Sequence, residues 1–185
     1  MGRVSISLVL IFVTIFSCKS YYQNQTRGYR PKKPKFELAN PPYQLKRDDL
    51  IDTNAVYVKE ATIYYGAEAR KEEFFIRFFS NGRCYMGIAD ARKLTLKDMN
   101  DINGFGGIGY YKLEGEKLKM EEFRVGGQFG NTPYYNRRMS AIIKNDSILF
   151  VGDNVDQIDF SVAKKENRSF YVRRKVEGLT GTPDW

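Results

Sequence analysis

The sequence has no histidine, two cysteines and one tryptophan among its 185 residues. Without histidine the chain cannot form a Ser-His-Asp triad, use an imidazole general base or build a metal site that needs imidazole. Two cysteines are too few for a four-cysteine zinc site or a disulfide framework. No other residues suggest a nucleophile with its base, so we expect no metal, no cofactor and no enzymatic activity.

Aromatic side chains and positive charge are what the sequence contains instead. Its 13 tyrosines and 13 phenylalanines are enough for a packed core, and its length fits a single domain. The net charge is +8 and the isoelectric point is about 9.4. Because the cations are scattered along the chain, they suit anionic lipid or an acidic partner better than a nucleic-acid groove.

The first 18 residues have the layout of a secretory signal peptide. Arg3 supplies a positive start, the apolar run over 7–16 is too short to cross a bilayer comfortably, and the small Ser17 follows. This pattern predicts export. The alternative is that the segment stays attached as an uncleaved anchor. Nucleic acid is scarce outside the cytoplasm, so we expect none as a partner.

The segment IFSC over residues 15–18 resembles the lipobox of bacterial lipoproteins. The resemblance implies that residues 1–17 are removed as a signal peptide and that Cys18 becomes the diacylated first residue. Residues 19–22 contain no acid, which is similar to lipoproteins sorted to the outer membrane. The resemblance thus implies an outer-membrane, lipid-anchored protein that faces the periplasm and contacts membrane lipid through acylated Cys18.

Residues 18–50 are predicted to form a flexible basic tether behind the lipidated cysteine. The stretch YRPKKPK over 29–35 is basic and punctuated by proline, and such segments act as extended spacers. Its lysines either contact anionic headgroups or only keep the linker soluble, and the sequence favours neither interpretation. A barrel domain is expected over 51–177, followed by a C-terminal tail over 178–185 in which Trp185 either docks or stays free.

Local turn signals predict a series of antiparallel hairpins. The clearest is Asn81-Gly82, which separates EEFFIRFFS from RCYMGIA. A two-residue turn would pair Phe78 with Tyr85 and would give one uncharged face. The opposite face is also mostly apolar, so something must cover it or bind to it. Cys84 lies in this run and is expected to be buried.

Further hairpins complete the predicted sheet. A four-residue loop over 114–117 would put Leu113 on the same face as Leu118, and the turn Asn145-Asp146 would pair the strands on either side of it. Residues 91–103 are expected to form a short helix or an irregular crossover. Together these patterns predict an all-β, antiparallel up-and-down β-barrel of about eight strands, since closure removes exposed edges. The alternative is an α+β fold with an open antiparallel sheet.

The segments GYYKLEGEKLKME and KNDSI resemble small lipocalin-like domains of bacterial lipoproteins, over roughly residues 52–175. The many aromatic residues of the expected inner face favour a barrel that binds a small apolar or amphipathic ligand. The candidate ligand-binding residues are Phe74, Ile76, Phe78, Tyr85 and Tyr111. The alternative function is an envelope protein–protein interaction module, either an inhibitor or an assembly accessory. The hairpin with two apolar faces and a predicted loop over 126–138 favour that alternative.

Two sequence patterns resemble catalytic or nucleotide-binding motifs but lack the structural context that such sites need. Residues 104–109 match G-x-G-x-x-G, but a dinucleotide site needs a helix after the glycines and the following YYKL is typical of a strand. The acidic pairs at 72–73 and 121–122 are adjacent in expected strands, so the two carboxylates of each pair point to opposite faces. Neither pair can form the dyad of a glycoside hydrolase alone.

Overall fold

The computed structural model describes residues 20–89, 93–126, 132–152 and 170–185, and for residues 65, 126, 132–137 and 152 it describes the backbone alone. The predicted signal peptide and the acylation of Cys18 lie outside these residues. No helix within the described ranges is long and apolar enough to span a membrane.

Eight antiparallel strands close into a barrel, which confirms the predicted architecture and excludes the open α+β sheet. Two short strands, β1 (Tyr21–Gln23) and β2 (Tyr29–Pro31), form a separate ribbon. The barrel strands are β3 (Ala55–Tyr65), β4 (Glu68–Phe78), β5 (Arg83–Ala89), β6 (Gly107–Glu114), β7 (Lys117–Gly126), β8 (Thr132–Lys144), β9 (Ser147–Gly152) and β10 (Phe170–Lys175). Each pairs with its neighbour in the chain, and β10 closes the ring between β9 and β3.

The register that the sequence predicts for the first hairpin is wrong by one residue. Phe78 pairs with Cys84 rather than with Tyr85, because Gly82 alone takes a positive φ (+76°) whereas a type I′ turn needs it at Asn81 too. The turn instead runs from Phe79 to Gly82, whose N–H donates to the Phe79 carbonyl over 3.2 Å. The shift turns Cys84 inward and Tyr85 outward.

Two other hairpins have the predicted register. Leu113 pairs with Leu118, and Ile143 pairs with Ile148 across a turn in which Asn145 takes φ +54°. In the first of these hairpins two lysines, 112 and 119, face each other. The Glu114 carboxylate lies 2.9 Å from one ammonium and 3.5 Å from the other, so it offsets their repulsion.

The predicted flexible tether differs from the structure, because residues 20–50 lie along the barrel wall. Tyr21 and Phe36 are buried in the same apolar cluster as the outward-facing Phe75 and Tyr110. The Leu38 N–H donates to the Glu121 carboxylate over 2.9 Å. Aromatic side chains spaced among the prolines and lysines thus make this segment a strap that covers part of the outer wall.

A short helix and the end of the chain cover more of the outer wall. Helix α1 (Leu96–Asn100) begins with a capping box between Thr95 and Asp98, in agreement with the short helix expected in this region. The Arg77 guanidinium, itself buried, donates to the backbone carbonyls of Met99 (3.1 Å) and Thr180 (2.6 Å). It therefore ties both covering segments to β4.

The last residues dock rather than stay free. The Trp185 indole N–H donates to the Gly109 carbonyl over 3.3 Å, and its ring lies edge-on to Phe79 with centroids 6.3 Å apart. Arg30, which is also buried, pairs with Asp184 at 3.0 Å and lies 5.2 Å from the centre of the Trp185 ring. The second apolar face expected from the sequence is thus covered by the chain itself.

Candidate ligand-binding cavity

One half of the barrel interior is packed solid. Three rings meet edge-on at its centre: the Phe78 centroid lies 5.4 Å from that of Tyr57 and 5.0 Å from that of Tyr111. Aliphatic side chains fill the space around them. We call this the filled half, and its other buried members are Ile51, Ile76, Cys84, Leu113, Leu118, Met120, Ala141, Ile143 and Ile148. It occupies the end of the barrel with the turns at 79–82, 115–116 and 145–146.

The end of the strap covers the filled end of the barrel. Tyr43 packs against Tyr111 with ring centroids 6.0 Å apart, and the Leu45 N–H donates to the Ser80 carbonyl over 2.8 Å. The Tyr57 hydroxyl accepts a hydrogen bond from the Asp52 N–H over 3.1 Å. No ligand can therefore enter at this end without displacing packed side chains.

The other half of the interior contains a cavity of about 360 Å³. We call this the hollow half. Its apolar lining comes from all around the barrel and consists of Ala61, Ile63, Phe74, Ile76, Met86, Ile88, Met139, Phe150 and Tyr171. Phe150 and Tyr171 lie edge-on at 5.5 Å and form one wall. The volume falls at the lower end of the range of about 300–1,000 Å³ that is typical of small-molecule pockets.

Charged and polar side chains also line the hollow half. The Glu122 side chain is only 3% exposed, and its carboxylate lies 3.4 Å from the Nε of Arg124, which is 43% exposed. Lys59 and Ser140 complete the polar part of the lining, whereas Arg138 at its edge pairs with Glu37 and Glu121 outside the barrel. A buried carboxylate is stable only when it is paired. The partly exposed Arg124 therefore holds Glu122 from the side that is open to solvent.

Two glycines of β6 make room inside the barrel. A Cβ atom at Gly107 would lie 2.3 Å from Glu122 Oε1, so any larger residue would displace that carboxylate. A Cβ atom at Gly109 would lie 2.0 Å from the Glu121 carbonyl oxygen and 3.2 Å from the Cys84 sulfur. Glycine at the first position therefore makes space for the charged group of the hollow half.

The barrel wall has a notch beside the cavity, where the strand pairing of β6 stops. Strand β5 pairs with β6 only from Arg83 to Met86, and β6 begins at Gly107. In the described ladders, residues 87–89 of β5 and 124–126 of β7 thus extend past the end of β6. Phe105, which is 62% exposed, lies beside this notch and lines the cavity.

The structure distributes the five predicted ligand-binding residues over three places. Phe74 and Ile76 line the cavity. Phe78 and Tyr111 belong to the filled half, where they pack against each other. Tyr85 lies on the outer wall, where its hydroxyl accepts the Gly106 N–H over 2.9 Å. The one-residue register shift is what moved Tyr85 to the outside.

The sequence analysis did not identify the charged pair Glu122 and Arg124 that lines the cavity. The signal was present, because strict alternation from Leu118 through Met120 places Glu122 and Arg124 on the inner face of β7. The adjacent Glu121 points outward, as strand alternation predicts. Residues 104–109 lead into β6 rather than a helix, so they lack the context of a dinucleotide site.

Cys84 is buried, as the sequence predicts. Burial raises the pKa of its thiol well above the ordinary value, and the charge of Glu122 raises it further. The thiol therefore stays protonated and is a poor nucleophile at neutral pH.

Comparisons with protein-family models, with curated proteins and with solved structures each found no match.

Proposed function

We propose that this protein is an outer-membrane lipoprotein of a bacterial envelope, anchored through acylated Cys18 and facing the periplasm, whose barrel binds a small apolar or amphipathic ligand. The cavity in the hollow half carries the binding part of this proposal. A solid interior throughout would have argued against it. The anchor depends on the sequence pattern of residues 1–18 and on its resemblance to a lipobox.

The lining of the cavity suits a ligand with an apolar chain and an anionic group. Phe74, Met86, Met139 and Phe150 offer apolar surface, and methionine adapts its shape to different chains. The charged lining consists of two cations, Lys59 and Arg124, and one acid, Glu122, since the Arg138 guanidinium pairs outside the barrel. Because Arg124 already holds that acid and is still partly exposed, it can also pair with a carboxylate or phosphate of the ligand.

Native mass spectrometry of the full chain, extracted from its own membrane, tests ligand binding directly. We expect an extra mass that organic solvent releases as a small amphiphile. Binding of cis-parinaric acid, a fluorescent long-chain carboxylic acid, then gives a measure of affinity. A protein that retains no small molecule and does not enhance parinarate fluorescence would contradict the proposal.

Adjacent residues of β3 provide a matched pair of variants. Ala61 lines the cavity, and its neighbour Thr62 is exposed. Ala61→Trp should fill the hollow half and lower parinarate affinity at least tenfold, which corresponds to about 1.4 kcal/mol. Thr62→Trp adds the same ring outside the barrel and should leave the affinity unchanged. Equal affinities for the two variants would place the probe elsewhere.

Acylation is tested separately by metabolic labelling with radioactive palmitate. The full chain should be labelled and should sediment with the membrane fraction, whereas the Cys18→Ser variant should be unlabelled. An unlabelled wild-type chain would refute the anchor without bearing on the cavity.

The alternative, an envelope interaction module, stays a weaker prediction. It was favoured by the second apolar face of the first hairpin, and the strap, α1 and the last residues now cover that face. It was also favoured by a loop over 126–138, of which residues 132–138 belong to β8.

A further inference from the structure

We infer that the wall of the barrel carrying the β1–β2 ribbon and the notch rests on the membrane surface, so that the cavity exchanges its ligand directly with the lipid. This inference depends on the proposed anchor and cavity. It adds an orientation, a contact surface and a route for the ligand. Three features of the described residues support it.

The first feature is the short distance between the predicted anchor and the barrel. The Lys32 N–H donates to the Ser20 carbonyl over 2.9 Å, and Tyr21 is buried, so the chain is fixed to the barrel from residue 20 onward. Only Lys19 lies between Cys18 and Ser20, and these two residue-to-residue steps span roughly 7 Å at most. Acyl chains on Cys18 would thus hold the ribbon close to the bilayer.

The second feature is that the ribbon packs directly beside the notch. The Thr26 hydroxyl donates to the Asn103 carbonyl over 2.7 Å, and the Tyr29 ring lies 6.0 Å from that of Phe105. A Cβ atom at Gly28 would lie 2.2 Å from the same Asn103 carbonyl oxygen, so the ribbon is in close contact with the loop that precedes β6. The predicted anchored end of the chain and the notch beside the cavity therefore share one wall.

The third feature is the chemistry of this wall. Phe105 is 62% exposed beside the notch, and Tyr22 is 50% exposed on the ribbon. Lys32 and Lys33 are exposed just beyond β2. Aromatic rings suit the interface between headgroups and acyl chains, and lysines near an anionic surface are attracted to it. These side chains together match a bilayer that contains anionic lipid.

Two labelled positions on opposite walls test the orientation. Phe105 lies beside β6, and Val172 lies on β10, four strands away in a ring of eight. Val172 is 46% exposed, so it tolerates a label as well as Phe105 does. The full acylated chain carrying Phe105→Cys or Val172→Cys is labelled with a nitrobenzoxadiazole dye and reconstituted into phosphatidylethanolamine–phosphatidylglycerol vesicles. Cys84 is buried and stays unlabelled.

Lipids brominated along their acyl chains then report contact with the bilayer. We expect them to quench the dye at position 105 several-fold more than the dye at position 172. Equal quenching, stronger quenching at 172, or quenching at neither position would overturn the orientation. A blue-shifted but unquenched dye at 105 would indicate a protein partner on this wall and would also overturn it.

A third label and two separate measurements keep the outcome unambiguous. Tyr22→Cys reports on the ribbon itself and replaces the first variant if Phe105→Cys folds poorly. The mass of the acylated chain and its affinity for parinarate are measured on the wild-type chain in the same vesicles, because Phe105 itself lines the cavity. Acylation with intact binding but no quenching at either 105 or 22 refutes the orientation alone, whereas loss of acylation or of binding refutes the proposed function.

Discussion

The two halves of the barrel interior are built from different kinds of side chain, although the same strands supply both. In the filled half, β7 contributes Leu118 and Met120. In the hollow half, the same face of β7 contributes Glu122 and Arg124. Apolar side chains can interdigitate without water, whereas a charged pair must keep one member near solvent. Packing therefore stabilises one half, and the other half retains space for a ligand.

The largest expected effect on stability comes from truncating one phenylalanine in each half. Phe78 is fully buried between two rings in the filled half, so Phe78→Ala should lower the free energy of unfolding by about 3–5 kcal/mol. Phe74 lines an existing cavity and is partly exposed. Phe74→Ala should therefore cost about 1 kcal/mol or less. Urea-induced unfolding followed by circular dichroism measures both values.

Parinarate binding should respond in the opposite order. Phe74→Ala removes part of the cavity wall and should weaken binding, whereas Phe78→Ala should leave the affinity of the folded fraction nearly unchanged. Similar losses of stability for the two variants would mean that the hollow half is packed as tightly as the filled half.

The two glycines of β6 allow the two halves to be compared by adding a single Cβ atom to each. At Gly109 an added Cβ would meet a backbone carbonyl at 2.0 Å, which cannot move without shifting β7. Gly109→Ala should therefore cost about 2–3 kcal/mol, at the upper end for overpacking. At Gly107 the added Cβ would meet only the end of the Glu122 side chain. Gly107→Ala should cost less in thermal unfolding and should mainly lower ligand affinity.

Alkaline pH should act on the filled half through its buried tyrosines. Burial raises the pKa of Tyr111, whose hydroxyl donates to the Phe79 carbonyl over 2.8 Å. A raised pKa in the folded state means that its contribution is fully present below the ordinary value of about 10 and is lost as the pH rises above it. Tyr111→Phe should cost about 1 kcal/mol at neutral pH and should flatten the loss of stability above pH 10. An unchanged alkaline slope in the variant would contradict this account.

The fold could be predicted largely because hairpin signals are local. Asn145 adopts the positive φ that its turn needs, and the predicted pairing of Ile143 with Ile148 follows from it. The turn at Asn81-Gly82 differs because distant residues decide it. The Gly82 carbonyl accepts the Tyr111 N–H over 2.8 Å, and an added Cβ at Gly82 would lie 2.4 Å from the Tyr43 carbonyl oxygen. A local pattern contains no information about these contacts.

The candidate site was harder to predict than the fold. Alternation alone places Glu122 on the inner face of β7, but it does not indicate how far side chains fill the closed ring. The role of residues 20–50 was hidden for a similar reason. Tyr21 and Phe36 stand among prolines and lysines, and only the apolar outer wall that they cover explains their burial. Both features depend on contacts between distant parts of the chain.

The smallest predicted effect concerns an ion pair on the outer wall, at the level of the hollow half. The Glu73 carboxylate accepts from Arg174 over 2.5 Å and from the Leu94 N–H over 2.6 Å, and these bonds hold its pKa below the usual value despite burial. A lowered pKa in the folded state means that the contribution is present above the ordinary value of about 4.3 and is lost as the pH falls below it. Arg174→Gln should cost about 0.5 kcal/mol at neutral pH and should flatten the stability profile below pH 4.5, since a partly exposed pair contributes modestly. Hydrogen exchange at acid pH should show faster exchange in β4 and β10 near residue 73, whereas the amides beside Tyr57 should stay protected. Simultaneous loss of protection in both places would show that the two halves unfold as one unit.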